Sequence, residues 1–479
     1  MNGKRPNVLL ITADQLRYDC LGASGRYPVR TPHLDALAGE GAMFTSAFSH
    51  FPVCGPARQS LLHGRRAETF GALWNFSGAL PTGSLQPEAY TWSRALAEDG
   101  YTSAFLGKWG VHPTLGPQAF GYHSYISEAD YARFARSRYP EAAYSNGFFG
   151  ETNPIPLEHA QTHWLADRAT ETMEKLEEGG GPWHMALHFP EPHLPCRPSD
   201  RFAAMYDPAE VREWDGFRET FAGKPYIQRQ QLYNWGIERY EWDDWAPVVA
   251  RYYGIISQMD EAVGRVLEKL RRIGAADRTI VVFTADHGDM CGSHRMMDKH
   301  YIMYDDVVHV PLLLRWPQVV QGGTRRDELV YNLLDIPPTL LELSGAEPPP
   351  PGHWHGASLV PLLSGQQHRS PSWRDEVVAS YNGQQFGLYS QRMIRTDAWK
   401  YVWNCTDIDE LYDLTADPAE LVNRIGDKRH ADLTASLRRR LYERLLADGD
   451  ALVANEWMRH QLLHGAKHDP AEPFRAGRG

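Results

Sequence analysis

Two groups of acidic residues in this sequence follow short apolar runs that have the composition of buried β-strands. Residues 8–12 lead to Asp14, and residues 280–284 lead to Asp286 and His287. In open α/β sheets, ligands bind beyond the carboxyl ends of the strands, so these side chains could meet at one point. Carboxylate oxygens together with one imidazole suit a divalent cation such as Ca²⁺, Mg²⁺ or Mn²⁺. Each acid taken alone could instead be a helix cap or a turn former.

A second candidate for chemistry is the segment 54–65, which reads C-G-P-A-R-Q-S-L-L-H-G-R. Pro56 suits the first turn of a short helix and Gly64 suits its end, which places Cys54 at the amino-terminal end that favours anions. Arg58 returns to the same helix face and could hold a group derived from the cysteine or an anionic substrate. The alternative is a buried structural cysteine beside a helix start.

The elements that would position these residues alternate in βαβ order. A helix opens at Thr31-Pro32 and can close at Gly41, and one or more long amphipathic helices are predicted over residues 246–273. This order predicts an α/β fold in which a large, mostly parallel sheet is sandwiched by helices. The predicted strands are 7–12, 101–106, 183–189, 279–284 and 311–315.

A composition shift at residues 364–373, rich in Ser, Gln, His and Pro, predicts a domain boundary. We therefore divide the chain into a catalytic α/β domain, 1–370, and a smaller C-terminal α+β domain, 371–479. The second domain is predicted to contain an antiparallel sheet followed by a helix over residues 431–446. Its predicted strands are 376–381, 387–395, 400–404 and 410–413.

Two stretches, residues 121–167 and 198–245, lose periodicity and are rich in aromatic residues, including Trp214 and Trp245. Long loops of this kind in compact domains are usually lids or binding walls. The alternative is that the tryptophans pack these insertions onto the body of the protein or onto a partner subunit, so a homo-oligomer is left open.

Composition excludes several classes of protein. With 42% hydrophobic residues among 479, the chain can form a large core, and its apolar runs are far shorter than the roughly 20 residues that span a bilayer. A net charge of −11 argues against nucleic-acid binding. Five scattered cysteines without a C-x-x-C pair indicate neither a disulfide framework nor a zinc ribbon. Residues 1–6 lack signal-peptide features, which predicts a cytoplasmic protein, or a periplasmic or secreted one if a leader was removed.

The pattern C-x-P-x-R followed by L-L-x-G-R resembles the signature of the type I sulfatases, members of the alkaline phosphatase superfamily. Further segments match that family in order: Gly107-Lys108-Trp109, Pro192-His193-Leu194-Pro195, Asp286-His287-Gly288, and Lys299 ahead of Met303-Tyr304. The resemblance implies an alkaline phosphatase-like fold. It also implies oxidation of Cys54 to formylglycine by a formylglycine-generating enzyme, and one divalent metal, Ca²⁺ before Mn²⁺ or Mg²⁺.

The resemblance also assigns roles to individual residues. The metal ligands would be Asp14, Asp286, His287 and the formylglycine at Cys54. Gln15 stands where the family often has a second acid, as it does in the related phosphonate monoester hydrolases, and is a further candidate ligand.

The remaining roles concern the sulfuryl group and the nucleophile. Lys108, Lys299 and His193 would contact the sulfuryl group, His193 would also protonate the leaving oxygen, and Arg58 would orient the formylglycine. His112 lies four residues after Lys108, farther than the family's histidine usually does. Either His112 reaches in, or another base assists the last step.

These residues predict hydrolysis of a sulfate monoester, of a small molecule or a carbohydrate, because cationic groups and a metal neutralise the charge of the ester. The close alternative is a phosphonate monoester or phosphodiester hydrolase with the same nucleophile, favoured by Asp14-Gln15 and by the string C-G-P-A-R. A catalytically silent binding protein on the same scaffold is the remote alternative.

Overall fold

The computed structural model describes residues 5–77, 80–363, 373–383, 385–465 and 467. Its main element is an eight-stranded sheet in the order β5-β4-β6-β1-β7-β8-β2-β9. All neighbouring pairs are parallel except those made by β8, which runs antiparallel to β7 and β2. The predicted mostly parallel sheet is therefore confirmed. Its strands are β1 (Asn7–Asp14), β2 (Ala42–Phe44), β4 (Thr102–Gly107), β5 (Ser124–Ser127), β6 (Trp183–Pro192), β7 (Thr279–Ala285), β8 (Leu312–Arg315) and β9 (Thr324–Arg326).

The central strands of the sheet are buried on both faces, which explains why they are largely apolar. Along β1, Leu9 and Ile11 point into one hydrophobic core, whereas Val8 and Leu10 point into the other. Successive side chains of a strand face opposite sides, so both faces need a cover of helices. A separate pair of short strands, β3 (Ala47–Phe48) and β10 (Val330–Tyr331), lies beside the sheet.

Helices cover both faces. The first core contains apolar residues of α1, α5 and α8, and the second contains those of α2, α3, α10 and α11. The helices up to the C-terminal region are α1 (Pro32–Glu40), α2 (Cys54–His63), α3 (Trp92–Glu98), α4 (Glu128–Arg138), α5 (Gln161–Glu178), α6 (Asp200–Ala203), α7 (Tyr226–Trp235), α8 (Trp242–Arg272), α9 (Asp305–Val308), α10 (Ile336–Ser344) and α11 (Val360–Leu363).

The C-terminal region contains the predicted antiparallel sheet, in the order β11-β12-β13-β14. Helix α12 packs on it through Leu437, Leu441 and Leu445, three residues at helical spacing. The predicted boundary at 364–373 lies outside the described residues except for Trp373, and the division at residue 370 stays a prediction. The elements are β11 (Val377–Gly383), β12 (Tyr389–Arg395), β13 (Trp399–Asn404), β14 (Glu410–Asp413), α12 (Ala431–Asp448), α13 (Ala451–Ala454) and α14 (Glu456–His464).

The two aromatic stretches are more regular than their sequences indicate. The first contributes the edge strand β5 and helix α4, and the second contains α7. Trp214 and Trp245 are buried in the main core, so the packing interpretation is confirmed for these two residues. None of the described helices is both long and apolar enough to cross a membrane.

Candidate active site

The candidate site lies at the carboxyl edge of the main sheet, as the strand pattern predicts. Asp14 is the last residue of β1, and Lys108 follows β4 directly. Asp286 and His287 follow β7, which pairs with β1 in parallel register up to Ala13 and Ala285. Because neighbouring parallel strands end together, side chains far apart in sequence become neighbours.

Cys54 reaches the same edge as the first residue of α2. The structure confirms the expected helix, which includes Pro56 and ends before Gly64 with φ +76°. An added Cβ at Gly64 would also lie 2.1 Å from the Trp354 ring, so glycine is required there for two reasons. The backbone N–H of Gly55 donates to Oδ1 of Asn75 at 2.7 Å.

Four buried side chains offer ligand atoms that all lie within 4.8 Å of one another: Asp14, Cys54, Asp286 and His287. Sγ of Cys54 is 3.6 Å from Oδ1 of Asp14 and 3.2 Å from Nε2 of His287. Two carboxylates, an imidazole and the group at position 54 form a donor set that fits a divalent cation. Burial, and then the charge of Asp14, raise the pKa of Asp286, a repulsion that a cation would relieve.

Basic side chains surround this cluster. Arg58 places one guanidinium nitrogen 3.0 Å from Oδ2 of Asp14 and 3.1 Å from Oδ2 of Asp286. Nζ of Lys108 lies 2.6 Å from Asp14 and 3.8 Å from the sulfur of Cys54. Arg58 therefore holds the two acids, whereas Lys108 lies between an acid and the position of the nucleophile.

The electrostatics at position 54 favour negative charge. Burial and Asp14 oppose ionisation of Cys54, but Lys108, Lys299 and His287 hold the pKa of its thiol well below the usual value. Burial lowers the pKa of His287, but Asp286 and Cys54 raise it to about 9. A negatively charged group next to position 54 is therefore stabilised by the positive charges of Lys108, Lys299 and His287.

A further set of contacts joins Gln15, Lys299 and His193. Nζ of Lys299 donates to Oε1 of Gln15 at 2.8 Å and to Nε2 of His193 at 2.9 Å. The Gln15 amide nitrogen donates to Asp289 at 2.6 Å and to Asp298 at 3.0 Å. All polar atoms of the Gln15 side chain are thus bonded to protein groups, and its role as a metal ligand stays a prediction.

Comparison with known proteins agrees with this geometry. A family model described as "Sulfatase" matches residues 6–346. The chain belongs to the sulfatase family. The family model described as "N-sulphoglucosamine sulphohydrolase, C-terminal" matches residues 292–446 of the same sulfatase.

Individual relatives of this sulfatase match along almost their whole length. It is 28% identical to an arylsulfatase of Clostridium perfringens, over 92% of this chain and 94% of the relative. It is 26% identical to the uncharacterised sulfatase YidJ of Escherichia coli, over 95% of this chain and 90% of the relative. The crystal structure of the phosphonate monoester hydrolase of Agrobacterium radiobacter superposes with a TM-score of 0.79 at 27% identity, covering 93% and 96% of the two chains.

His112 does not join the cluster of the sulfatase in this structure. Its Nδ1 accepts the backbone N–H groups of Thr114 at 3.2 Å and Leu115 at 3.0 Å, within its own loop. No described contact connects it with Cys54 or Lys108. The proposed role of His112 in the last step therefore stays a prediction.

Sequence reasoning missed several residues of the site. His188 in β6 accepts a hydrogen bond from Arg58 at 2.9 Å, and Asp289 and Asp298 hold Gln15. A signal existed for Asp298, which directly precedes Lys299, and for Asp289, which is close to the Asp286-His287-Gly288 motif. Asn75 carried no comparable signal, because it lies outside every motif.

A cavity of about 590 Å³ opens beside Lys108 and His193. One wall comes from the first aromatic stretch, through Tyr131, Tyr139 and Tyr144 on and after α4. Tyrosines of this stretch therefore form a cavity wall, and their role in binding stays a prediction, whereas Trp214 and Trp245 of the second stretch serve packing.

Proposed function

We propose that this protein hydrolyses a sulfate monoester to an alcohol and inorganic sulfate. The observation that carries the proposal is the position of Cys54. It lies beside two buried carboxylates, 3.8 Å from Nζ of Lys108, and is also influenced by the positive charge of Lys299. A sulfate monoester places negative charge on its nonbridging oxygens, and these lysines supply positive charge at that place. Family membership supports the same class of reaction.

Two groups that the family implies complete the chemistry. A divalent metal, Ca²⁺ in our proposal, would be held by Asp14, Asp286, His287 and residue 54, and would neutralise charge on the transferred group. Hydrated formylglycine at position 54, made by a formylglycine-generating enzyme, would supply the hydroxyl that attacks sulfur and a second hydroxyl for the release of sulfate.

The side chains of this protein have separable tasks. Arg58 holds Asp14 and Asp286 in place through contacts of 3.0 and 3.1 Å. Lys108 and Lys299 neutralise the sulfuryl oxygens, and Lys299 also orients His193. His193, at the edge of the cavity, is the group that meets the leaving oxygen.

A second candidate is hydrolysis of a phosphonate monoester or a phosphodiester. Gln15 favours it, because glutamine also stands at this position in the phosphonate monoester hydrolases that the motif resembles. The likeness to the phosphonate monoester hydrolase of Agrobacterium radiobacter, at 27% identity, supports it as well. The Asp14-Cys54-Asp286-His287 cluster and its basic surround would serve either ester.

The two candidates are separated by esters of one alcohol. We would measure kcat/KM for 4-nitrophenyl sulfate, 4-nitrophenyl phenylphosphonate and bis(4-nitrophenyl) phosphate with protein matured at Cys54. The proposal expects the sulfate to be the best substrate. A higher kcat/KM for the phosphonate or the diester would establish the second candidate. Absence of all three activities in metal-loaded, matured protein would favour a binding protein.

A further inference from the structure

The cavity beside the active site contains two carboxyl groups that the reaction does not use. Glu128, the first residue of α4, and Glu191, near the end of β6, both line it, as do Lys108 and His193. The leaving alcohol must lie on this side, because His193 borders the same space. The two acids are therefore placed to contact the alcohol part of a bound ester.

Neither carboxyl group is neutralised by a partner. Among the described residues, Glu128 and Glu191 form no ion pair, and Oε2 of Glu191 is buried without a hydrogen-bond partner. Burial, followed by the charge of Glu128, raises the pKa of Glu191 to about 8. Burial also raises the pKa of Glu128, although Lys108 opposes this. Unpaired acids in a shielded place are stabilised when a cation binds between them.

The two arginines that line the cavity do not neutralise Glu128 and Glu191. Arg197 lies over the ring of Tyr144, with 3.9 Å between its guanidinium carbon and the ring centroid, and Arg136 is exposed. Neither arginine is among the main charges that shift the pKa of Glu128 or Glu191, whereas Lys108 is one of them. Neither Arg136 nor Arg197 therefore neutralises the two acids, and Lys108, which lies near them, is already paired with Asp14.

Tyrosine side chains line the cavity together with the two acids. Tyr131 is one turn along α4 from Glu128, and the charge of Glu191 is one cause of the raised pKa of Tyr131, after burial. The ring of Tyr131 lines the cavity, as does Tyr139. Aromatic faces attract cations, most strongly where water is excluded. Carboxylates beside aromatic rings are the combination that recognises ammonium groups.

We propose that the natural ester carries a positively charged nitrogen on its alcohol part, bound between Glu128 and Glu191 while the sulfate faces Lys108. This substrate class rests on the proposed sulfatase function. A volume of about 590 Å³ accommodates either a small amino alcohol or an amino sugar with a free ammonium group. The shared feature is a cationic nitrogen within a few bonds of the ester oxygen.

A pair of isosteric esters tests this proposal. Choline O-sulfate and 3,3-dimethylbutyl sulfate have the same shape and the same sulfate group, but only the first has a positively charged nitrogen on its alcohol part. We expect kcat/KM to be at least about tenfold higher for choline O-sulfate, since the free energy of a desolvated cation–aromatic contact alone corresponds to such a factor. Glucosamine 6-sulfate and glucose 6-sulfate form the corresponding sugar pair. Equal kcat/KM values within both pairs would overturn the proposal.

Substitutions of the two cavity acids test whether these residues cause the preference for an ester with a cationic nitrogen. Glu128→Gln and Glu191→Gln replace a group that can ionise opposite a bound ammonium group by an amide of similar shape. Each is expected to reduce severalfold or more the ratio of kcat/KM for choline O-sulfate to that for 3,3-dimethylbutyl sulfate. The matched control is Glu141→Gln, because Glu141 is exposed and does not line the cavity. Its ratio should equal that of the wild type. A ratio unchanged in both cavity variants would show that these acids do not bind the alcohol.

The same assay separates failure of this inference from failure of the proposed function. If 4-nitrophenyl sulfate is hydrolysed but choline O-sulfate and glucosamine 6-sulfate are not preferred over their partners without a cationic nitrogen, only the proposed substrate class is wrong. If neither 4-nitrophenyl sulfate nor any of the four other sulfates is hydrolysed by matured, metal-loaded protein, the proposed function itself is wrong. Using a ratio also cancels any general loss of activity in a variant.

Discussion

Nζ of Lys299 lies 2.9 Å from Nε2 of His193, so the loops after β7 and β6 meet through one hydrogen bond. An ammonium group only donates, so Nε2 of His193 accepts. The other ring nitrogen, Nδ1, donates to the carbonyl oxygen of Leu194 at 2.6 Å. For Nε2 to protonate a leaving oxygen, the proton of Lys299 must first move to Nε2, and the oxygen must then replace Nζ at this contact.

This relationship predicts different losses for two substitutions. His193→Ala should slow hydrolysis of alkyl sulfates by about 10²- to 10⁴-fold but that of nitrophenyl sulfate much less, because nitrophenolate leaves with little help from an acid. Lys299→Ala should slow both, since it removes charge stabilisation. Steady-state kinetics of the two esters measures this, with His460→Ala, at an exposed position, as control. Equal losses in His193→Ala would leave this histidine only a binding role.

The Cys54 motif predicts a covalent modification. Protein produced together with a formylglycine-generating enzyme should carry an aldehyde at position 54, which peptide mass spectrometry detects as a defined mass loss. Cys54→Ala should abolish nearly all turnover while the circular dichroism spectrum stays that of the wild type. Cys20→Ala provides a control at another buried cysteine. Full activity of protein with an unmodified thiol at Cys54 would disprove the mechanism.

The buried carboxylates predict a bound metal. Metal analysis of the purified protein should find about one divalent ion per chain, and Asp286→Ala should lose the ion and the activity together. Asp277→Ala removes an acid whose side chain is 90% exposed and should keep both. Added Ca²⁺ should raise the melting temperature of chelated wild type but not that of Asp286→Ala. Undiminished turnover by exhaustively chelated protein is the result that contradicts this site.

A buried ion pair connects helix α12 with the segment that follows α2. Nε of Arg66 lies 2.7 Å from Oδ2 of Asp448, and the side chain of Arg66 is fully buried. Asp448→Ala removes the nearer of the two carboxylates beside Arg66, leaving only Glu68 at 3.9 Å, and should lower the free energy of unfolding by about 3 kcal/mol. Urea denaturation measures the change, and Glu443→Ala, exposed on the same helix, should have an effect within about 0.5 kcal/mol.

The same pair predicts a pH dependence. Burial opposes ionisation, but Arg66 and Arg444 hold the pKa of Asp448 below its usual value. A lowered folded-state pKa means that the stabilisation is complete above about pH 4, the value in the unfolded chain, and is lost as the pH falls further. The stability difference between wild type and Asp448→Ala should therefore shrink below pH 4. A constant difference down to pH 2 would contradict this assignment.

Much of the architecture could be predicted from the sequence. The apolar runs of β1 and β7 identify strands buried on both faces, and a residue that follows such a strand must lie at its carboxyl edge, which places Asp14 and Asp286. Pro56 and Gly64 mark the ends of the short helix that carries Cys54. These features depend on local periodicity and chain geometry, which a single segment contains.

Only the tertiary structure decided which side chains meet. Gln15 bonds to Lys299, 284 residues away, and Arg58 reaches both Asp14 and Asp286. The same holds for Glu128 and Glu191, which no motif connects and which share one cavity because β5 and β6 flank the same strand, β4. Local patterns specify strands, helices and their ends, whereas contacts between distant residues depend on how all elements pack together, and no segment by itself contains that information.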